Sequence, residues 1–211
     1  MNFEKNFFEN NKKEKNFELN FEEMNNKEVQ DSCTAIANEM QGYLSIPANI
    51  NFKPSKNSEN NGFASILHKE YRDPDYQHNI TIIYTNEHIE EIPFYLAHEL
   101  GHCFEEQIID VAKKNKLEVY PKESPLYDEM DWEGPYGDLI ATYILSPESF
   151  KKNENLPYLD NCKIIFNEIF ENKDFSDLRT QVEKSQKENS QDFIGDRVFD
   201  KIKEYFEKNN K

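Results

Sequence analysis

The segment FYLAHELGHCFEE, residues 94–106, constrains the fold more than any other part of the chain. It places His98 and His102 four residues apart, with Glu99 directly after the first histidine. On an α-helix, residues four apart project from the same face, so both imidazoles can reach one ion at the usual zinc–nitrogen distance of about 2.0–2.1 Å. The residues around them are largely apolar, which predicts a helix that packs into the core. The rest of the fold is therefore predicted around this helix.

The spacing also indicates a particular chemistry. In the pattern HExxH, two histidines hold a zinc ion that polarises a scissile carbonyl and lowers the pKa of a water toward about 7, while the glutamate takes a proton from that water. Glu99 lies about a quarter turn from His98, so it can act as the general base without binding the metal. The pattern arises by chance in about one random chain of this length per hundred. Its position on an apolar helix that follows a predicted strand favours a metal site.

Two histidines do not complete a zinc site, which needs a third protein ligand. The other histidines all precede the motif: His68, His78 and His88. The metzincin position after the motif holds Ile108, so a carboxylate on the later helix is the expected ligand. Asp138 and Glu133 lie nearest the start of that helix, and Pro135 at its first position would put Asp138 inside the first turn. Asp138 could instead be a carboxylate that only faces the helix dipole.

Two tyrosines of the later helix, Tyr136 and Tyr143, are candidates for stabilising an oxyanion, with aromatic packing as the alternative role. The three cysteines form no CxxC pair, which argues against a disulfide framework and predicts buried reduced thiols: Cys33, Cys103 and Cys162.

The charge and the N-terminal sequence exclude several classes of protein. A formal charge of −16, from 41 acidic and 25 basic residues, would repel a phosphate backbone, so no direct binding of nucleic acid is expected. Charged residues and asparagines occur throughout the first 20 residues, which leaves no apolar run for a signal peptide or a membrane span. We therefore expect a cytoplasmic protein without a membrane partner.

The hydrophobic patterns predict three regions. Residues 1–27 are rich in Asn, Lys and Glu and predict a mobile or weakly helical arm. Residues 28–150 combine a helix ending near Leu44, short strands at NINF, GFASILHKEY and HNITIIYT, and the two helices described above. Residues 151–211 contain two further helical stripes and predict a helical extension. The predicted class is α+β, with a small, mainly antiparallel sheet packed on zincin-type helices.

The motif and its surroundings resemble a known family. NITIIYTNEHIEE, IPFYLAHELGHCFEE and GDLIATYILSPESF follow one another between about residues 63 and 150. This order is similar to the ImmA/IrrE metallopeptidases, which show a strand, a helix reading FtlAHELGH and a helix reading E..AN.FAA.LLMP. Asp138 falls at the family's Asn or Asp position. The family glutamate upstream of it is missing, since residues 134–137 read GPYG and Glu133 lies one place outside.

The resemblance implies a gluzincin-like, zinc-dependent endopeptidase that cleaves a specific protein substrate. In this family the substrate is typically a transcriptional repressor with a helix-turn-helix, here a separate protein. The third ligand would be Asp138, or Glu133 if the helix starts earlier. The missing glutamate leaves a second hypothesis open, in which the metal site is structural or degenerate and the acidic surface binds a partner by complementary charge.

Overall fold

A three-stranded parallel sheet forms the N-terminal part of the structure. The computed structural model describes residues 17–55, 78–120, 135–185 and 190–209. The strands are β1 (Leu19–Phe21), β2 (Ala48–Pro54) and β3 (His78–Tyr84), and they lie in the order β1-β2-β3. Ile50 of β2 lies opposite Leu19 of β1 and Ile80 of β3. Alternate residues of β2 and β3 are buried, so one face of the sheet packs on the core.

The α+β class is confirmed, but the predicted antiparallel direction of the strands is wrong. Both strand pairs are parallel. Parallel neighbours need a crossover of a dozen or more residues, and helix α1 (Lys27–Gln41) supplies it between β1 and β2. Residues 55–77 separate β2 from β3, and of these 56–77 lie outside the described residues. The predicted strand at 62–71 falls in that range.

Strand β1 lies within the predicted N-terminal arm. Residues 1–16 of that arm lie outside the described residues, and 19–21 pair with β2 instead of forming a helix. The Phe21 ring stacks on that of Phe52, with 4.8 Å between centroids. The sequence pattern does not reveal β1, because three residues are too few to show the alternation of buried and exposed side chains that marks a strand.

Helix α1 confirms the first predicted stripe. The Asn26 side chain accepts a hydrogen bond from the backbone N–H of Val29 at 3.2 Å, which caps the helix, and Glu28 complements the dipole in the first turn. The buried positions recur every three or four residues: Val29, Cys33, Ile36, Ala37 and Met40. Helix α1 therefore packs one face on the core and against the motif helix.

The motif lies on helix α2 (Ile92–His102), which follows β3 through a 3-10 helix at Asn86–Glu91. The sequence pattern predicts one continuous helix here, and the structure divides it. The N–H groups of Cys103 and Phe104 bond three residues back, to Leu100 and Gly101, which closes α2, and α3 (Glu105–Asn115) begins anew. Burial of the Phe104 ring in the core accompanies this break.

Among the later helices, those at 136–145, 159–169 and 190–209 carry the predicted stripes, whereas those at 147–152 and 176–183 were not predicted. They are α4 (Tyr136–Leu145), α5 (Pro147–Lys152), α6 (Leu159–Ile169), α7 (Ser176–Glu183) and α8 (Ser190–Asn209). Their aromatic residues join the core through edge-to-face contacts, such as Phe104 with Phe170 at 5.2 Å and Phe150 with Phe199 at 5.8 Å between centroids. Within the described part of the chain, no helix is both long and apolar enough to span a membrane.

Candidate metal centre

Two glycines let helices α2 and α4 approach each other at the motif. A Cβ on Gly101 would lie 2.9 Å from the Cα and the carbonyl oxygen of Gly137. A Cβ on Gly137 would lie 2.6 Å from Nε2 of His102 and 2.8 Å from the carbonyl oxygen of His98. Real Cβ atoms essentially never come this close to other atoms. The absence of both side chains therefore allows α4 to lie directly against the two histidines.

The two histidines of the motif face each other. Their Nε2 atoms are 2.9 Å apart, and their rings are nearly perpendicular, with centroids 4.6 Å apart. Nδ1 of His98 lies 2.7 Å from Oδ1 of Asp138. Because a carboxylate only accepts hydrogen bonds, Nδ1 of His98 is the donor, and in the neutral ring its Nε2 carries a lone pair directed toward His102.

The histidine pair fits a zinc ion. Two ligand nitrogens at about 2.0–2.1 Å from one tetrahedral ion would be about 3.3 Å apart, so the observed Nε2 atoms need to separate by only a few tenths of an ångström. The two Nε2 atoms already face each other. The donor set of imidazoles flanked by carboxylates also suits zinc.

Asp138 is brought to the site from α4, but it contacts the ring nitrogen of His98 that does not face His102. Its carboxylate contacts Nδ1, whereas Nε2 is the nitrogen that faces His102. Burial alone would raise the pKa of Asp138, yet the charge and hydrogen bond of His98, with Lys201 and His102, outweigh it and lower that pKa. The carboxylate is thus held ionised, as an acceptor that fixes the orientation of the His98 ring. The predicted role of Asp138 as a metal ligand remains a prediction.

Glu99 lies beside the histidine pair. Its Oε1 is 3.9 Å from Nε2 of His98, too far for a hydrogen bond but close enough for one small molecule between them to contact both. The Glu99 side chain is 11% exposed and that of His98 is 12% exposed. The carboxylate is therefore positioned as a general base would be, in a site with little access to bulk water.

The other predicted site residues lie elsewhere or outside the described residues. Glu133 belongs to the range 121–134, which the structure does not describe. Tyr136 donates a hydrogen bond to the backbone carbonyl of Tyr120 at 3.1 Å, and Tyr143 donates to Oδ1 of Asn167 at 2.6 Å. Over the described ranges, no three His, Cys, Asp or Glu side chains are arranged to hold a metal ion.

Three residues near the site were not identified from the sequence. Tyr95 lies one turn before His98 on α2, and burial, with the nearby Glu91, raises its pKa. Arg197 and Lys201 approach from α8 and interact electrostatically with Tyr95 and Asp138 respectively. The spacing of Tyr95 and His98 could have revealed the tyrosine, since residues three apart share a helix face. No local signal could have revealed the two cations, because only the tertiary fold brings α8 to the site.

The chain was compared with protein-family models, with curated proteins and with solved structures, and nothing matched. The resemblance to the ImmA/IrrE metallopeptidases therefore depends on the motif residues alone. The geometry around those residues is the remaining basis for assigning a function.

Proposed function

We propose that the protein is a zinc-dependent endopeptidase that cleaves a specific protein substrate. The observation that carries this proposal is the pair of Nε2 atoms 2.9 Å apart on a largely buried helix, with the ring of one histidine held by Asp138. An exposed pair of histidines that met by chance would need neither the Gly101–Gly137 contact nor a carboxylate on the second helix. Glu99 beside the pair adds the acid–base group that hydrolysis needs.

His98 and His102 would hold the zinc ion through Nε2. Asp138 contacts Nδ1 of His98, whereas the zinc ion would bind Nε2 of the same ring. This favours Glu133 as the third ligand. In this assignment Asp138 is a positioning residue, and the two carboxylates have separate tasks. When bound, the zinc ion would act as a Lewis acid that polarises the scissile carbonyl and makes a water more acidic.

The chain's own residues would move the proton. Glu99 would accept it from the attacking water as the water oxygen bonds to the carbonyl carbon of the peptide. It would then donate this proton to the amide nitrogen as the C–N bond breaks, so that a carboxylic acid and an amine leave the site. The low exposure of Glu99 and His98 would exclude other water during the reaction. The family resemblance makes a separate helix-turn-helix repressor the first substrate to try.

Metal analysis with matched variants tests this proposal. We would measure zinc by elemental analysis in wild type, His98→Ala, Asp138→Ala, Glu133→Ala and Glu99→Gln, all purified without chelator. We expect about one zinc per chain in wild type, loss of zinc in His98→Ala and Glu133→Ala, and weaker binding in Asp138→Ala.

Cleavage is measured on a peptide library derived from a proteome, with new termini identified by mass spectrometry. Glu99→Gln should keep the zinc and lose cleavage about 10²–10⁴-fold. Glu106→Gln is the matched control, because Glu106 is exposed on α3. A wild-type protein that binds no offered zinc, or a Glu99→Gln variant as active as wild type, would refute the proposal.

One observation favours the second hypothesis, a binding module without catalysis. The described residues supply two histidines but no third group in a ligand position. If Glu133 also fails to bind, the fold could serve to present the acidic surface to a basic partner. The effect of Glu99→Gln on cleavage distinguishes the two hypotheses, since a binding module, with or without a structural metal, would be indifferent to that change.

A further inference from the structure

The two ends of helix α4 are held in different ways. The C-terminal end packs against α8, since a Cβ on Gly195 would lie 2.8 Å from Oγ of Ser146 and 3.2 Å from Cβ of Ser149. The first turn, which carries Asp138, begins after Pro135, whose side chain offers no acceptor for the N–H groups that lack a helical partner. Helix ends of this kind fray unless other contacts hold them. The position of Asp138 therefore depends on what the first turn contacts.

Contacts on different sides hold this turn. On one side Gly137 lies directly against the motif helix, since a Cβ there would lie 2.6 Å from Nε2 of His102. On another side the hydroxyl of Tyr136 donates a hydrogen bond to the carbonyl of Tyr120 at 3.1 Å. Successive helical residues are about 100° apart, so Tyr136 and Asp138 project about 200° apart, on nearly opposite faces. The hydrogen bond therefore anchors the turn from the face that lies away from the carboxylate.

Tyr120 is a firm anchor because its ring is buried among other aromatic rings. The residue is 2% exposed, and its ring centroid lies 5.3 Å from that of Tyr158, 6.3 Å from that of Phe206 and 6.5 Å from that of Tyr136. Among the described residues, its own buried hydroxyl has no hydrogen-bond partner. Tyr120 therefore supplies its carbonyl and its packed ring to the contact with α4, and not its hydroxyl.

We propose that Tyr136 is a positioning residue, whose hydroxyl sets the first turn of α4 so that the Asp138 carboxylate meets Nδ1 of His98. The inference rests on the proposed zinc peptidase function and adds a residue to that site. The carboxylate lies 2.7 Å from Nδ1, so a small rotation of the turn would lengthen this hydrogen bond. His98 would then lose the acceptor that fixes its ring and its tautomer, and the affinity for zinc would fall. The hydroxyl of Tyr136 has one proton, so it cannot donate to an oxyanion while it donates to Tyr120.

Zinc affinity, measured by competition with a chromogenic chelator, tests this role. Tyr136→Phe removes only the hydroxyl and should weaken zinc binding about tenfold, the lower end of the range for a lost partner of a zinc ligand. Tyr120→Phe is the matched control, because it removes a buried hydroxyl that has no partner among the described residues. This control should change the affinity by less than about twofold.

A second control breaks a hydrogen bond elsewhere on the same helix. Tyr143→Phe removes the donor to Oδ1 of Asn167, two turns further along α4. Because that contact is far from the first turn, zinc affinity should again change by less than about twofold. Urea unfolding of both variants shows whether they lose comparable stability. A loss of zinc affinity that is confined to Tyr136→Phe then reports position and not stability.

A double-mutant cycle tests whether Tyr136 acts through Asp138. In Asp138→Asn the charged acceptor of His98 is already lost, so adding Tyr136→Phe should weaken zinc binding by no more than about a further twofold. A tyrosine that only stabilised the fold would weaken zinc binding about equally in both backgrounds.

The tautomer of His98 gives a readout that needs no zinc. Long-range correlations from the carbon-bound ring protons to the ring nitrogens show by NMR which nitrogen carries the proton. In metal-free wild type at pH 8 we expect the proton on Nδ1, where Asp138 accepts it. Tyr136→Phe and Asp138→Asn should both shift the population toward the Nε2–H tautomer. Tyr120→Phe should leave it as in wild type.

The outcomes for the variants separate this role from the proposed function. Wild-type affinity and tautomer in Tyr136→Phe, an equal loss in either control, or an undiminished loss in the Asp138→Asn background overturns the positioning role and leaves the zinc site intact. A wild type that binds no offered zinc overturns the proposed function. The tautomer of His98 then still decides whether Tyr136 holds Asp138 in place.

Hydrogen exchange of the wild type keeps the test open if Tyr136→Phe does not fold. The N–H of Leu139 bonds the carbonyl of Pro135 at 2.9 Å within the first turn. If the turn is held as proposed, this amide should exchange about as slowly as those in the middle of α4. Fast exchange of the Leu139 amide would show a frayed turn and overturn the positioning role.

Discussion

Replacing Gly137 by alanine tests the close contact on which the candidate site depends. The added Cβ would lie 2.6 Å from Nε2 of His102, whereas ordinary contact begins at 3.4 Å, so the ring or the helix must move by about 0.8 Å. Overpacking of this kind costs about 1–3 kcal/mol, and the better helix propensity of alanine offsets about 1 kcal/mol of it. We expect a net loss of about 1–2 kcal/mol in the free energy of unfolding.

The same displacement should weaken zinc binding about 10–100-fold, because it moves a proposed ligand nitrogen out of position. Urea unfolding without metal measures the loss of stability, and competition with a chromogenic chelator measures the zinc affinity. Gly42→Ala is the matched control. Its Cβ would meet the carbonyl oxygens of Glu39 at 3.3 Å and of Asn38 at 4.0 Å, at the end of α1, so stability should change by no more than about 0.5 kcal/mol.

Gly101→Ala should destabilise the fold in the same way, because its Cβ would meet the backbone of Gly137 at 2.9 Å, as the Cβ of Gly137→Ala would meet the carbonyl oxygen of His98 at 2.8 Å. A Gly137→Ala protein with the stability and the zinc affinity of wild type would refute this reasoning. That result would mean that α2 and α4 are not in contact at these glycines.

Three further substitutions or measurements probe other parts of the structure. Asp138→Asn should lower zinc affinity about 10–100-fold at unchanged stoichiometry in excess zinc, measured by chelator competition. Gln41→Ala should cost about 2–3 kcal/mol in urea unfolding, because Gln41 bonds both the N–H and the carbonyl of buried Ala48. Cys33 and Cys162 should resist alkylation at pH 8 until the protein unfolds. Burial raises the pKa of both thiols, that of Cys162 to about 12, and a fast native-state reaction would contradict their burial.

Much of the helical structure could be predicted from the sequence, because the residues that a long amphipathic helix buries recur every three or four positions. The stripe from Val29 to Met40 is buried as predicted, and the stripe at 194–206 falls on α8. The division of α2 from α3 could not be predicted. Phe104 falls at the next apolar position of the helical pattern, although its N–H bonds only three residues back, where α2 ends. Strand direction was predicted incorrectly because the alternation of buried and polar residues is most typical of antiparallel sheets. In this protein α1 connects β1 to β2 and returns the chain to the same end of the sheet, so the two strands are parallel.

The two histidines and Glu99 could be found because they lie on one helix at a spacing that defines their geometry. Asp138 could be placed near them from the predicted start of α4, but not on a particular nitrogen, since that depends on the crossing of two helices at Gly101 and Gly137. Lys201 is 63 residues further along the chain than Asp138, and no periodicity connects positions so distant. Its place beside the site follows only from the packing of α8.

The contact of Gly195 on α8 with Ser146 and Ser149, which follow α4, also has a consequence during synthesis. Translation produces α2 and α4 before α8, so a growing chain can hold both histidines and Glu99 before Gly195 has reached the serines at the end of α4. The motif helix would therefore be made first, and the helix that packs on Ser146 and Ser149 last. A copy whose translation stopped between these two stages would hold His98, Glu99 and His102 but would lack the helix that covers the end of α4.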